Sequence, residues 1–439
     1  MSAGRVLILV MDSVGVGGAP DAALFRNGDG DDEGAATVPH IAQACAEGRA
    51  EEGRSGPLRA PNLTAMGLGE ACRIACGATP PGLEATGPFQ GVYGAGQEFS
   101  AGKDTITGHW ELAGAPMRRD WHYFPRAVPA LPERLTDALI RRAGLPGLLG
   151  NKHASGTEIL DELGAESLRT GKPIIYTSAD SVIQIAAHEQ AFGLERLYEL
   201  CRIARELADE LNVGRVIARP FLGDPATGFR RTANRKDFST PPPEPTLCDR
   251  ALEAGRQVFG VGKIADIFAG RGIGAVLKGA DDMALCDRTL EAMRDAGPGD
   301  LIFANFVDFD SLYGHRRDVS GYARAIEAFD ARLPELFAAM GDQDLMIVAA
   351  DHGNDPTWRG TDHTRERVPI LCRGARLRPG SAGLRRFADV AETAARWLGL
   401  PAGPHGRAML APAESGAWRA APETALGPFA VAPGREEGA

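Results

Sequence analysis

The chain has 439 residues, 44% of them hydrophobic, with 48 Lys plus Arg against 58 Asp plus Glu and a net charge of −10. That length allows two or three domains and a large core. The acidic balance excludes a sequence-independent nucleic-acid binder, which needs a basic surface, yet leaves room for a local positive pocket that takes an anionic substrate.

Val6–Met11 is the first apolar run and reads as a buried strand that ends at Asp12. Ser13 to Ala35 reads as a Gly- and Asp-rich loop, Thr37–Ala46 as a helix, and Pro61-Asn62-Leu63 as the start of another. Prolines 116, 125, 129 and 132 mark a break near Gly114–Pro132, and Ser239 to Pro245, with three consecutive prolines, marks a second. Between them lies a separate α/β pattern. Ser155-Gly156-Thr157-Glu158 looks like a capping box opening a helix through Leu163, Ile174–Thr177 reads as a strand, Leu194–Leu211 as a helix and Val213–Phe221 as a strand. After the second break come a strand at Val258–Val261 ending at Gly262-Lys263, a helix over Ala284–Ala296, and apolar runs Leu301–Val307 and Leu345–Ala350. A helix from Phe387 to Leu398 closes the pattern, and residues 411–439 read as a loosely ordered tail.

The two late runs carry the chemistry. The first leads into Asp308-Phe309-Asp310-Ser311-Leu312-Tyr313-Gly314-His315, the second into Asp351-His352-Gly353-Asn354-Asp355, followed by His363. Ligands of open α/β sheets gather beyond the carboxyl ends of strands. Asp12, Asp310, His315, Asp351, His352 and His363 therefore form a candidate metal set. Mixed carboxylates and imidazoles suit Mn²⁺ or Zn²⁺, and six ligands exceed the four of one tetrahedral ion. Two ions ~3.5–4 Å apart would use all six and could clamp a phosphoryl group. Any one of these residues alone could be a polar turn former; Asp308 and Asp355 illustrate that.

A nucleophile is sought in Gly102-Lys103-Asp104-Thr105-Ile106-Thr107-Gly108-His109, where a hydroxyl at a helix N-terminus would meet free backbone N–H groups. Thr105 and Thr107 are both candidates, and spacing does not choose between them; either could be a cap, and His109 could be a core histidine.

No run approaches the ~18 apolar residues of a membrane span, and the first is too short for a signal-peptide core. The seven cysteines are scattered and show no paired zinc-ligand spacing, as for reduced thiols in a cytoplasmic protein.

Taken together, Met11-Asp12-Ser13-Val14-Gly15-Val16-Gly17, Gly102-Lys103-Asp104-Thr105, Gly150 to Thr157, Tyr176 to Ser181, Gly214 to Pro220, Asp310 to Arg317 and Asp351 to Asp355 resemble the bacterial phosphopentomutase family, within the alkaline phosphatase superfamily. The resemblance spans about Val6 to Leu410. It implies an alkaline-phosphatase-like α/β core with a mainly parallel sheet flanked by helices, formed by residues 1–119 and 240–410, with a smaller inserted α/β cap over 122–238. It implies interconversion of (deoxy)ribose 1-phosphate and 5-phosphate through a phosphothreonine and a sugar bisphosphate, with the bisphosphate also as a possible activator. It implies two Mn²⁺ ions, one on Asp310, His315 and His363, the other on Asp12, Asp351 and His352. It selects Thr105 as the phosphoryl carrier. It assigns Ser178 and Asp180 to sugar hydroxyls, Arg215 with Val182 and Ile217 to the phosphopentose, and Lys263 to the distal phosphate. Pentose phosphates are then the partners, with no nucleic acid, membrane or obligate protein partner. His153, Trp358 and the long tail depart from the family pattern. The rival readings are a metal-dependent phosphatase or another phosphosugar or phosphoglycerate mutase on the same core, and a binding protein without turnover.

Overall fold

The computed structural model describes residues 4–178, 181–414, 416–423 and 426. The chain divides into two compact units, Met1–Arg118 with Pro242–Ala439, and Arg119–Pro241.

The first unit is built on an eight-stranded sheet. Its strand order is Ala275–Leu277, Val258–Val261, Leu301–Phe306, Val6–Met11, Leu345–Ala349, Val368–Arg373, Val92–Gln97, Gly380–Arg386. Val368–Arg373 runs antiparallel to both its neighbours, and the other pairings are parallel. The three central strands are the apolar runs Val6–Met11, Leu301–Phe306 and Leu345–Ala349, buried along their whole length. A strand covered on both faces has no solvent side, which is why these runs do not alternate with polar residues. Val6 lies opposite both Leu301 and Leu345, so the three strands end level. Level ends deliver Asp12, the Asp308–His315 turn and Asp351 to one edge of the sheet.

The second unit carries a mixed sheet in the order Lys236–Ser239, Arg215–Asp224, Val182–His188, Ile174–Thr177, Leu149–His153, with Gly228–Arg231 paired to Arg215–Asp224. One core joins Leu135 and Leu139 to Ile183, Ile185, Leu197, Leu200 and Val216. A smaller one joins Ile159, Leu160, Ile174, Tyr176 and Phe221.

Three elements differ from the sequence reading. The helix opened by Ser155, whose Oγ accepts from the Glu158 N–H at 3.3 Å, runs to Thr170 rather than Leu163. Gly164 lies inside the helix and gives room for Phe229, whose ring would lie 2.6 Å from an added Cβ. The strand expected over Val213–Phe221 occupies Arg215–Asp224, because Gly228–Arg231 folds back to pair with its end. The tail expected from residue 411 begins as a hairpin, with Leu410–Pro412 antiparallel to Trp418–Ala420. Trp418 packs on Trp397 at 4.7 Å between ring centroids, and the buried Arg385 donates to Ala421 O at 2.6 Å. A single aromatic anchor and one buried guanidinium hold a stretch that composition alone marks as irregular.

Candidate metal centre

Each ligand is set by a local turn. Asp12 follows its strand directly, and Ser13 turns the chain with φ 68, a left-handed backbone that costs a non-glycine residue about 1 kcal/mol or more. Two bonds hold that turn: Ser13 N–H donates to Asp351 Oδ1 at 3.0 Å, and Ser13 Oγ meets Tyr322 Oη at 2.8 Å. Asp310 and His315 sit on one wide helical turn over Phe309–Gly314, where the His315 N–H reaches Asp310 O at 3.0 Å. Wide turns of this kind recur at functional sites. The 353–364 pairing, closed by Gly353 and Thr364 exchanging N–H to C=O bonds, brings His363 back over His352.

All six predicted ligands meet. His315 Nε2 lies 3.1 Å from Asp310 Oδ2, and His363 Nε2 lies 3.5 Å from Asp310 Oδ1. His352 Nε2 lies 3.4 Å from Asp12 Oδ1 and 3.5 Å from Asp351 Oδ2. The rings of His352 and His363 are 4.1 Å apart, and those of His315 and His363 are 4.7 Å apart. Donor atoms within 4.8 Å of one another form two groups, Asp310 with His315 and His363, and Asp12 with Asp310 and His352. Asp310 thus belongs to both. The second grouping differs from the implied set of Asp12, Asp351 and His352: Asp351 Oδ1 is turned to Ser13, and its Oδ2 lies 3.5 Å from His352 Nε2 and 2.9 Å from His109 Nδ1.

The residues fit a divalent cation. Asp12 Oδ1 and His363 Nε2 are buried and have no hydrogen-bond partner among the described residues, and Asp351 Oδ2 faces His109 Nδ1 at 2.9 Å. Buried polar atoms are otherwise almost always paired, so Asp12 Oδ1 and His363 Nε2, from separate loops at one place, suit a bound cation. Burial and the adjacent Asp351 carboxylate push Asp12 above its usual range. Burial alone would lower His352; Asp351 and Asp12 outweigh it and hold the imidazole well above 6.5. Both effects are those of carboxylates crowded in a low-dielectric site. The outer nitrogens are occupied: His315 Nδ1 donates to Thr361 O at 2.7 Å, and His352 Nδ1 lies 3.0 Å from Gly353 O. That turns Nε2 of each ring toward the carboxylates, the nitrogen a metal would take in place of a proton.

Thr105 opens the helix Thr105–Leu112 and places Oγ1 3.3 Å from His352 Nε2. Thr107 is engaged elsewhere. It is fully buried and completes a capping box with Asp104: its Oγ1 accepts from Asp104 N–H at 3.3 Å and donates to Asp104 O at 3.0 Å. Its hydroxyl is therefore spent on the helix end.

Three supporting residues escape the sequence reading. Asn305 Nδ2 donates to Asp12 Oδ2 at 2.7 Å, and Asn354 Nδ2 donates to Asp310 Oδ1 at 2.7 Å. His109 Nδ1 donates to Thr105 O at 2.8 Å, beside Asp351 Oδ2 at 2.9 Å, while Asn305 Nδ2 reaches its Nε2 at 3.3 Å. The one available signal was Asn305 itself, a polar residue inside an otherwise apolar buried strand.

The implied substrate residues lie in both units. In the second, Val182 pairs with Arg215 and Gln184 with Ile217, so Arg215, Val182 and Ile217 share one face of the sheet. Val182 and Ile217 are buried at 1% and 3% exposure, so their side chains belong mainly to packing. Ser178 follows the Ile174–Thr177 strand, and Asp180 lies outside the described residues. Lys263 belongs to the first unit, exposed after Val258–Val261.

A family model described as the Metalloenzyme superfamily matches residues 4–402. The chain is 58% identical over 410 residues to a phosphopentomutase of Chelativorans sp. (strain BNC1), covering 92% of this chain and 98% of that protein. It is 58% identical over 409 residues to one of Methylobacterium sp. (strain 4-46), covering 92% and 100%. It is 56% identical over 409 residues to one of Rhizobium johnstonii, with the same coverage. Similarity of this depth over nearly the whole of each chain shows that the chain belongs to the phosphopentomutase family of metal-dependent isomerases.

Proposed function

We propose that this mutase interconverts (deoxy)ribose 1-phosphate and (deoxy)ribose 5-phosphate through a phosphothreonine at Thr105. The observation that carries the reading is the 3.3 Å approach of Thr105 Oγ1 to His352 Nε2, at a helix N-terminus and against a buried set of N and O ligands. Phosphorylated Thr105 gives its phosphoryl group to the free hydroxyl of a pentose monophosphate. The P–O bond to Thr105 Oγ1 breaks, the sugar becomes a 1,5-bisphosphate, and the other phosphoryl group then returns to the same oxygen. A sugar bisphosphate would restore the phosphothreonine whenever it is lost.

Asp310, His315 and His363 would hold one divalent ion, and Asp12, Asp351 and His352 the other, with Asp310 able to reach both. The bound ions would neutralise charge on the transferring phosphoryl group. Ligands of nitrogen and oxygen without sulfur suit Mn²⁺ or Zn²⁺, and the family resemblance implies Mn²⁺. Asn305 and Asn354 orient the Asp12 and Asp310 carboxylates, and His109 ties the Thr105 carbonyl to the same frame. Residues 119–241 would supply Ser178, Asp180 and Arg215 to the sugar phosphate, with Val182 and Ile217 packed on the same sheet face as Arg215, and Lys263 would meet the distal phosphate. All seven cysteines are free thiols, which suits a cytoplasmic location. No helix among the described residues is long and apolar enough to cross a membrane.

The test is product analysis. Mn²⁺-supplied protein given ribose 1-phosphate should yield ribose 5-phosphate. Release of free ribose and inorganic phosphate as the main products would instead mean transfer to water.

A further inference from the structure

Directly after His363 and Thr364, two charged residues stand side by side in fully buried positions: Arg365 at 2% and Glu366 at 1% exposure. Burying opposite charges costs more than a well-packed apolar pair would, so their presence calls for a role beyond stability. The segment is extended, tied by backbone pairing at Thr364 to Gly353 and at Arg367 to Gly17. Successive side chains of an extended segment point to opposite sides. Here they reach different parts of the centre.

Glu366 serves the loops that carry metal ligands. Its Oε2 accepts from the Gly17 and Thr37 N–H groups, both at 2.9 Å. Its Oε1 accepts from the Thr37 and Thr364 hydroxyls, both at 2.7 Å. Thr37 Oγ1 in turn accepts from Asn354 N–H at 3.1 Å, and Asn354 holds Asp310. One carboxylate therefore joins the loop after Asp12, the loop after His352 and the segment after His363. Gly15 and Gly353 make room for it, since a Cβ on either would lie 2.3 Å from a carboxylate oxygen.

Arg365 serves the turn before Thr105. Its Nη1 donates to Gly102 O at 2.6 Å and to Glu98 Oε2 at 2.5 Å. Its Nη2 donates to Asp21 Oδ2 at 2.8 Å and to Glu98 O at 2.9 Å, and Nε reaches Asp21 at 3.2 Å. Its backbone N–H donates to Asp32 Oδ2 at 3.0 Å, the same oxygen that takes Lys103 Nζ at 2.9 Å. The planar fork spans four acceptors that an ammonium group cannot reach together.

We propose that Arg365 and Glu366 are positioning residues with divided labour: Glu366 sets the metal-bearing loops, and Arg365 sets the Gly102–Thr105 turn that presents the nucleophile. The assignment rests on the functional reading above. The experiment compares Glu366→Gln and Arg365→Lys at pH 8, by Mn²⁺ titration and by steady-state conversion of ribose 1-phosphate. Glu366→Gln should weaken Mn²⁺ binding by about 10- to 100-fold, the usual loss for a group behind metal ligands, with turnover recovering as Mn²⁺ is raised. Arg365→Lys should bind Mn²⁺ as the unsubstituted chain does and keep its KM, while kcat falls by about 100-fold from a misplaced hydroxyl. A general structural defect would move Mn²⁺ affinity, KM and kcat together in both variants, and that result overturns the proposal. So does unchanged Mn²⁺ affinity in Glu366→Gln. Should either variant fail to fold, Thr37→Val must weaken Mn²⁺ binding and Asp21→Asn must lower kcat alone; the opposite pattern counts against the assignment. No turnover by the unsubstituted chain would overturn the functional reading and the Arg365 half with it, while the Mn²⁺ titration still decides the Glu366 half.

Discussion

Thr105 Oγ1 lies 3.3 Å from His352 Nε2, whereas Thr107, one turn-position further, gives its hydroxyl to Asp104. Two hydroxyls in one short segment thus face different work. Thr105→Ala should abolish conversion of ribose 1-phosphate while Mn²⁺ binding stays. Thr107→Val should lower stability by about 1 kcal/mol, the net contribution of a typical hydrogen bond, and keep turnover. Parallel melting curves and rate assays on the two variants check the contrast; equal loss of activity in both would remove the distinction.

Asp310 belongs to both donor groups, and His315 to one. Asp310→Asn should therefore reduce bound metal at both positions, and His315→Ala at one. Metal counted per chain after dialysis against low Mn²⁺ reads this directly. Identical stoichiometry in the two variants would contradict the shared role.

Burial, with Asp355 nearby, raises Glu366 from 4.5 to about 7. Between those pH values the folded chain keeps a proton that the unfolded chain has released. Its contribution to stability is therefore full below pH 4.5, falls as pH rises through the interval, and levels off above 7. The change amounts to about 3 kcal/mol. Glu366→Gln cannot release a proton and should flatten that part of the profile. Denaturant unfolding of both proteins from pH 5 to 8 measures the difference, and parallel profiles would show that Glu366 stays ionised throughout.

Arg215 shares a sheet face with Val182 and Ile217 in the second unit. If it binds the phosphopentose, Arg215→Ala should raise KM for ribose 1-phosphate by about 10-fold or more, with Mn²⁺ binding unchanged, since hydrogen bonds to charged groups contribute about 1.5–3 kcal/mol. An unaltered KM would place the substrate elsewhere.

Much of the centre is legible in the sequence because buried parallel strands announce themselves as unbroken apolar runs. Where Val6–Met11 and Leu345–Ala350 stop, the next residue is a candidate ligand, and no distance is needed to see it. What sequence spacing lacks is the gap between loops. That Asp310 reaches both groups, or that Asp351 turns one oxygen to Ser13, depends on how two turns lean together. Thr105 and Thr107 look alike until the capping box takes one of them. Asn305 hides in a strand whose apolar neighbours dominate the pattern. The helix continues past Leu163 where Gly164 meets Phe229, far along the chain, and the Leu410–Ala420 hairpin is tied by Trp418 packing on Trp397 and by its backbone bonds to Arg376 and Arg378.

The central claim is that phosphate passes through Thr105. Mn²⁺-supplied protein incubated with ribose 1,5-bisphosphate, quenched in acid and digested, should give a Thr105 peptide heavier by one phosphoryl group, and ribose 1-phosphate should then remove it. A peptide that stays unmodified while the same sample converts ribose 1-phosphate to ribose 5-phosphate would contradict the account.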